Sequence, residues 1–511
     1  MSSKPALLRQ KSFVCPVVRN PFSHRLHLNV FDKIRIVVMS LTIAPIRLLL
    51  VMLLLFPSWI IVMVALAGKN PLDQIPISGW RRSLKHILTL LGRLQFFILG
   101  FHYVTIKGQR ATFAEAPILC FAPHTSFFDA IIAVILGLPS TVSREENRHF
   151  PIVGKLLDFL QPVYVSRTDQ NSRITTIEEI KRRSQKGSNW PQIMIFPEGT
   201  CTNASCLITF KGGAFYPGVP VQPVTVKYNT DTVIWTWDGP PTFTTLWFTL
   251  CNFNNGIQME FLPVYKPSQE EIDDPKLFAR NVRSKMGQSL KVPVTDHTYE
   301  DCKLMQEAEK MGLPTEVGLV EFQKMLNKLG VRRETLAERL HEYADMAKSE
   351  GYIGLEDFAK YLNLPVSENL REMFDMYDRN GSGKIDFREY VIGCSLVAQP
   401  ANNEETIQLA FKMFGGSKGH LVLDDLVQFL QGSVNMTAEE CEVLFHQVDD
   451  QNTGRITYDQ FKAYAKKKPE YARLFTSFLE KADIEMEMKK EEGEEETKKD
   501  PERPSSGKKE D

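Results

Sequence analysis

"APILCFAPHTSFFDA", residues 116–130, decides the fold. The apolar run Ile118 to Ala122 stands between two prolines. A run that short, closed at both ends by residues without a backbone N–H, reads as a strand rather than a helix. The pattern returns in "QPVYVSR" (161–167), "PQIMIFPEG" (191–199) and "VPVQPVTVKY" (219–228). Helical stretches such as "NSRITTIEEIKRRSQ" (171–185) lie between them. This alternation predicts an α/β domain over 102–290, a mostly parallel sheet covered by helices. Chemistry in such sheets collects at the carboxyl ends of the strands. His124, Arg167 and Glu198 each follow directly on an apolar run, so all three are expected at one edge.

Upstream, residues 1–35 are polar and basic, and residues 36–101 are expected to form a membrane anchor. Leu48 to Ala67 is 20 residues without a charge, long enough to cross a hydrocarbon core as a helix. Pro57-Ser58 lies at its middle and predicts a kink. Both flanks are basic, with Arg35 and Arg47 before and Lys69, Arg81, Arg82 and Lys85 after, which places both in the cytosol. These features predict a membrane-embedded helical hairpin, with a single span as the alternative. "LKHILTLLGRLQFFILGF" (84–101) follows as an amphipathic helix with Lys85, Thr89 and Arg93 in one stripe. It either lies in the membrane interface or packs on the next domain.

The net charge of −1 argues against a bulk attraction to nucleic acid. Eight cysteines are scattered without paired spacing, which excludes a disulfide framework or a zinc module and suits a reducing compartment. Residues 291–465 turn to paired helices. Within them "DRNGSGKIDFRE" (378–389) has the spacing of an EF-hand calcium loop. Asp378, Asn380 and Ser382 take positions 1, 3 and 5, Lys384 offers its carbonyl at 7, and Glu389 is bidentate at 12, with Gly383 at the sharp turn. Loops at 346–357 and 415–426 keep the frame but not the ligands. The loop at 449–460 keeps Asp449 and Thr453 but carries Gln451 and Gln460. Successive loops start 32, 37 and 34 residues apart, as expected of four hands in two pairs. Residues 466–511 are too charged to bury a core and are expected to be partly disordered.

A His followed five residues later by an Asp is weak alone, but a carboxylate can fix an imidazole as a general base. "FPEGTC" (196–201) adds Glu198, a permissive Gly199, the hydroxyl of Thr200 and Cys201. Arg167 offers a guanidinium fork and Lys211 a cation beside two glycines, both suited to phosphate. In this order, His124–Asp129, Tyr164–Arg167, Glu198–Cys201 and Val219–Val224 resemble the four blocks of the glycerolipid acyltransferase family. Gln161 stands where that family often has a glycine, and Cys201 where many members have arginine. The Glu-Gly-Thr-Cys block, the anchor and the calcium loops resemble the lysophosphatidylcholine acyltransferase 1/2 group over nearly the whole chain. The intact loop 378–389 makes the chain most similar to its type 2 branch, which also acetylates lyso-platelet-activating factor.

The resemblance implies a membrane-bound acyl-CoA:lysophospholipid O-acyltransferase that re-acylates lysophosphatidylcholine, using acyl-CoA or acetyl-CoA and no catalytic metal. His124 would take the proton from the lipid hydroxyl and Asp129 would hold the ring. Arg167, Gly199, Thr200, Cys201 and Lys211 would face lipid phosphate or coenzyme A, and Glu198 would either join them or anchor its loop. Ca²⁺ would bind at Asp378, Asn380, Ser382, Lys384 and Glu389, and more weakly at Asp449 and Thr453. A competing scheme makes Ser126 or Cys201 a covalent nucleophile. The alternative to an enzyme is a Ca²⁺-responsive membrane scaffold with an inactive acyltransferase domain. Lys508 and Lys509 resemble a dilysine retrieval signal read by coat machinery. Together with the calcium loops it implies an endoplasmic reticulum membrane protein, found also at the Golgi or lipid droplet surface, with its domains in the cytosol.

Overall fold

The computed structural model describes residues 19–69, 75–166, 172–321, 333–347, 350–362, 365–366, 368–378, 380–401, 407–408, 411, 419–434 and 437–467. Arg167, residues 348–349 and 415–418 of two degenerate loops, and the Lys508-Lys509 tail lie outside them. The described residues divide into two compact units, one holding Arg19–Lys303 with Glu321, the other Leu304–Val320 and the residues from Arg333 onward.

The first unit is built on seven strands: β1 (Val104–Lys107), β2 (Ile118–Ala122), β3 (Ser140–Arg144), β4 (Val163–Val165), β5 (Ile193–Ile195), β6 (Val221–Tyr228) and β7 (Ile257–Phe261). They form one sheet in the order β1-β7-β6-β2-β5-β3-β4. Every neighbouring pair is parallel except β6 with β7. The expected α/β class is therefore present, with β2 at the centre. Its side chains alternate between two cores. Leu119 and Phe121 join Ile131 and Ile132 of helix α4 (Ala130–Ile135) on one face. Ile118, Cys120 and Ala122 join Phe278, Val282 and Met286 of a helix at Pro275–Leu290 on the other. Burial on both faces is why the run is continuously apolar.

Three N-terminal helices join this unit: α1 (Val30–Leu41), α2 (Ile43–Leu66) and α3 (Trp80–Ile98). Helix α2 is long and apolar enough to cross a membrane. Helix α2 is continuous through Pro57, the position of the expected kink, and the Ser58 hydroxyl donates to the Leu54 carbonyl at 2.8 Å. The reversal falls between Leu66 and Trp80, after which α3 returns antiparallel. Arg81 donates to the Ala65 carbonyl near one end of α2 and Gln95 to the Ser58 hydroxyl near its middle. The polar stripe of α3 turns inward: Lys85 donates to the Leu138 carbonyl at 2.9 Å and Arg93 to that of Ile135 at 3.2 Å. Ile87, Leu90, Leu94 and Phe97 face outward, as do Leu49, Met52, Leu53 and Phe56 of α2. A helix that binds its domain through polar groups and shows solvent its apolar ones is built for a lipid surround.

The second unit holds the four loops in two pairs. Ile353 and Ile385 exchange backbone hydrogen bonds at 3.0 and 2.9 Å, joining the loops 346–357 and 378–389. His420–Leu421 pairs antiparallel with Ile456–Thr457, joining the other two. Tyr343, Phe358, Tyr377, Phe387 and Tyr390 form the buried aromatic centre of the first pair.

Candidate active site and calcium loops

The chain leaves β2 through Pro123 and turns sharply at His124–Asp129. Ser126 caps the following 3-10 turn, accepting from the Phe128 N–H at 3.2 Å while its hydroxyl donates to the Val233 carbonyl at 2.5 Å. That turn brings His124 Nδ1 to 2.6 Å from Asp129 Oδ2. Asp129 is buried, with 3% of its side chain exposed, and also accepts the Thr125 N–H at 3.1 Å. Its other oxygen accepts the hydroxyl of Tyr228. The imidazole stacks on Phe196 at 4.4 Å and keeps 26% of its side chain exposed, so one edge of the ring can meet a substrate. Burial alone disfavours the charged ring; Cys201 and then Asp129 favour it and prevail, so the imidazole holds its proton well above the usual range.

The second loop follows β5. Glu198 is fully buried, and its two oxygens accept the backbone N–H groups of His124 at 2.8 Å and Ile208 at 3.3 Å. Anchoring the loop and touching substrate were both expected of it; these two bonds tie the loops together. Burial pushes its carboxyl up to about 7, against the two N–H bonds that favour the charged form. Gly199 has φ +67, a conformation that glycine adopts without strain, and the Lys211 chain lies against it. Thr200 accepts the indole N–H of Trp237 at 2.8 Å, and Cys201 lies buried in hydrogen-bonding reach of His124. Lys211 is exposed, its chain over Gly199 and its ammonium 5.5 Å from the Tyr299 ring. Ser126, the other nucleophile considered, is fully buried with its hydroxyl committed to Val233. Phe128 belongs to the core, while Phe127 points outward.

Gln161 shows how a non-glycine fits the turn before β4. It adopts φ +49. Its amide bonds the Ile75 carbonyl and the Ile77 N–H, each at 2.8 Å, and Arg183 and Ser140 both donate to its carbonyl. These bonds hold a conformation that a side chain otherwise disfavours.

Two residues were missed by sequence reasoning. Ala122 pairs with Thr225 in parallel register, so Tyr228 at the end of β6 stands level with the His124–Asp129 turn. That register was the available signal. Trp237 gave none. It lies in a loop that also binds the His turn, through Trp235 N–H to the Thr125 carbonyl at 2.9 Å.

In the loop 378–389, Asp378 accepts the Ser382 and Gly383 N–H groups at 2.9 and 2.7 Å. Glu389 accepts those of Asn380 at 3.3 Å and Asp386 at 3.2 Å. Burial, then the Asp386 and Asp378 carboxylates, push the Glu389 carboxyl up to about 7. A set of converging oxygens whose charges oppose one another fits a hard divalent cation. In loop 449–460 the Gln460 amide accepts from Thr457 N–H at 2.9 Å and donates to Asp450 at 2.8 Å, the place of the missing carboxylate.

Residues 103–227 match the acyltransferase family model, and residues 367–466 match the EF-hand domain pair model. The chain is 47% identical to lysophosphatidylcholine acyltransferase 2 of Danio rerio, over 93% of this chain and 91% of that protein. It is 46% identical to the Homo sapiens protein of the same name, over 93% and 88%. It is 44% identical to lysophosphatidylcholine acyltransferase 1 of Rattus norvegicus, over 90% and 87%.

Proposed function

The chain belongs to the lysophosphatidylcholine acyltransferase family, and from that premise we propose that it moves an acyl group from acyl-CoA to lysophosphatidylcholine with His124 as the base. The observation that carries this reading is the His124–Asp129 pair, backed by Tyr228 and tied through Glu198 to the Gly-Thr-Cys loop. With Nδ1 held by Asp129, Nε2 of the deprotonated ring takes the proton from the lipid hydroxyl. The alkoxide oxygen attacks the thioester carbon, the C–S bond breaks, and the leaving thiolate takes the proton from the imidazolium. Asp129 stabilises that imidazolium while it lasts. Gly199, Thr200 and Lys211 supply polar groups for substrate phosphate beside the ring. Arg167, two residues past β4, is assigned to the same edge by its place in the sequence.

The enzyme is membrane-associated, and we place it at the endoplasmic reticulum, Golgi or lipid droplet surface with both units in the cytosol. The basic flanks of α2 and the seven free cysteines described support that placement. Lys508-Lys509 as a coat-binding signal belongs to the same proposal. Acetyl-CoA as an alternative donor rests on the likeness to type 2 relatives. Ca²⁺ would be held by Asp378, Asn380, Ser382, the Lys384 carbonyl and Glu389, where it would rigidify the paired loops.

The test uses membranes expressing the protein, labelled acyl-CoA and lysophosphatidylcholine, with His124→Ala alongside. Transfer should fall at least about a hundredfold in the variant, the scale of a general-base effect. Equal transfer by the variant sinks the mechanism. Competition between acetyl-CoA and long-chain acyl-CoA in the same membranes decides the donor.

A further inference from the structure

The segment ahead of α1 is built into the first unit. Phe22 is fully buried. The His24 N–H donates to the Asp238 carbonyl at 2.8 Å, and the Asp238 N–H to that of Phe22 at 3.1 Å. The Asn203 amide donates to the carbonyls of Asn20 and Ser23, both at 2.8 Å. Between this strap, the first turns of α1 and the loop 230–234 lies a cavity of about 310 Å³. Its wall carries Arg19, Arg25, Arg35 and His27 against Asp32 and Asp231.

The arginines there are not used up by their neighbours. Arg25 pairs with Asp238 at 2.9 Å and Arg35 with Asp32 at 3.0 Å. Arg35 Nε nonetheless stays buried with no hydrogen-bond partner, and Arg19 has no carboxylate partner among the described residues. Guanidinium groups with donors in reserve, held around one space, suit the oxygens of a phosphate ester.

Two features say where that phosphate comes from. The outer face of α1, with Val30, Phe31, Ile34, Val37, Val38 and Leu41 all more than half exposed, is apolar and leads into α2. A helix so patterned lies among acyl chains at the membrane boundary, which puts the cavity at its polar end among headgroups. The cavity is linked to the His124 turn through its wall: Asn203 follows Thr202, whose N–H bonds the His124 carbonyl at 2.7 Å. We propose that this cavity holds the phosphate of the acceptor lipid's headgroup, with Asp32 and Asp231 beside it for the headgroup's cationic end. The proposal rests on the acyltransferase reading. The same phosphate-ester chemistry is offered by the nucleotide end of coenzyme A, and the test separates the two.

Full-length Arg19→Gln and Arg19→Gln/Arg35→Gln are assayed in mixed micelles, varying lysophosphatidylcholine and acyl-CoA in turn. Arg19→Lys and the thermal midpoint serve as controls for charge and folding. The expected result is a KM for lysophosphatidylcholine raised about tenfold, the scale of a lost charge-assisted hydrogen bond, with KM for acyl-CoA and kcat unchanged and Arg19→Lys near wild type. sn-Glycero-3-phosphocholine should inhibit wild type more strongly than the double variant. A rise confined to KM for acyl-CoA keeps the phosphate site and assigns it to the nucleotide. If neither KM moves in a folded variant, the proposal is overturned. Wild type that transfers nothing to lysophosphatidylcholine defeats the acyltransferase reading instead.

Discussion

The hydroxyl of Tyr228 bonds the oxygen of Asp129 that His124 leaves free. The carboxylate is thereby shared between a neutral donor and the ring it must orient. Asp129→Asn removes the charge that stabilises the imidazolium, and kcat should fall by roughly 10⁴, as in a triad with the wrong tautomer. Its effect on pH is separable. Asp129 helps hold the His124 proton, so its loss lowers the imidazole pKa and moves the acidic limb of kcat/KM to lower pH. Tyr228→Phe should act in the opposite direction. It returns the full carboxylate charge to His124 and moves that limb upward, with a loss in rate of about tenfold. Limbs that stay together in the two variants would remove Asp129 and Tyr228 from the mechanism.

Glu198 makes a prediction about stability as well as rate. Its carboxyl is raised from an ordinary value near 4.5 to about 7 by burial. The folded state therefore binds the proton more tightly than the unfolded chain does. The stability this gives is full below about 4.5 and is lost as pH rises to about 7. Glu198→Gln should flatten that decline in a thermal-melt series from pH 4 to 8. It also leaves one of the two N–H groups, of His124 or Ile208, facing an amide that cannot accept. A kcat loss of roughly tenfold to a hundredfold with little change in KM should follow.

Trp237→Phe keeps the ring and deletes the N–H that holds Thr200. A neutral hydrogen bond of this kind is worth about 1 kcal/mol, so kcat/KM should fall about fivefold. Thr200→Val in the same background should add little, because both changes remove one contact. Additive losses would mean that Trp237 acts elsewhere.

What was legible in the sequence was local. The strand before His124, the five-residue step to Asp129 and the glycine of the second loop are all short-range, and periodicity or spacing reports them. Tyr228 lies 99 residues from Asp129, and Trp237 lies 37 from Thr200; only the sheet register and a folded loop bring them in. Pro57 was legible as an interruption of the ladder, but not that helix α2 runs on through it and that the reversal comes only after Leu66, because tertiary contacts with α3 decide where the chain turns. The polar stripe on α3 was visible, but its direction was not, since periodicity cannot say which face meets protein and which meets lipid. Gln161 marks the same boundary: its strained φ is held by Arg183 and by the α2–α3 connection, both remote in sequence.

Cys201 sits close enough to His124 to raise the question of a cysteine nucleophile. The direct-transfer mechanism needs no acyl-enzyme. Cys201→Ser should keep activity within about tenfold and alter the pH profile, because the thiol contributes to the proton affinity of His124. No acyl-thioester should be trapped on wild type by mass spectrometry after rapid quenching. A trapped adduct at Cys201, with an inactive Cys201→Ser, would replace direct transfer by the two-step scheme.

The calcium loops differ at their twelfth position, and that difference sets the stoichiometry. Glu389 can offer two oxygens to the ion, whereas the Gln460 amide offers one oxygen and turns its nitrogen to Asp450. Calorimetry on the full chain should therefore find one tight Ca²⁺ site. Glu389→Ala should remove it, since the bidentate ligand supplies both charge and closure of the loop. Gln460→Glu should create a second, because Asp449 already binds the Gly454 N–H at 2.6 Å and Thr453 already bonds Asp449 at 3.1 Å, the frame of a working loop. Thermal melts with and without Ca²⁺ give an independent reading through the mass-action stabilisation of the bound form. Two sites in the wild type, or a site that survives Glu389→Ala, would show that the loop at 449–460 binds Ca²⁺ without a terminal carboxylate.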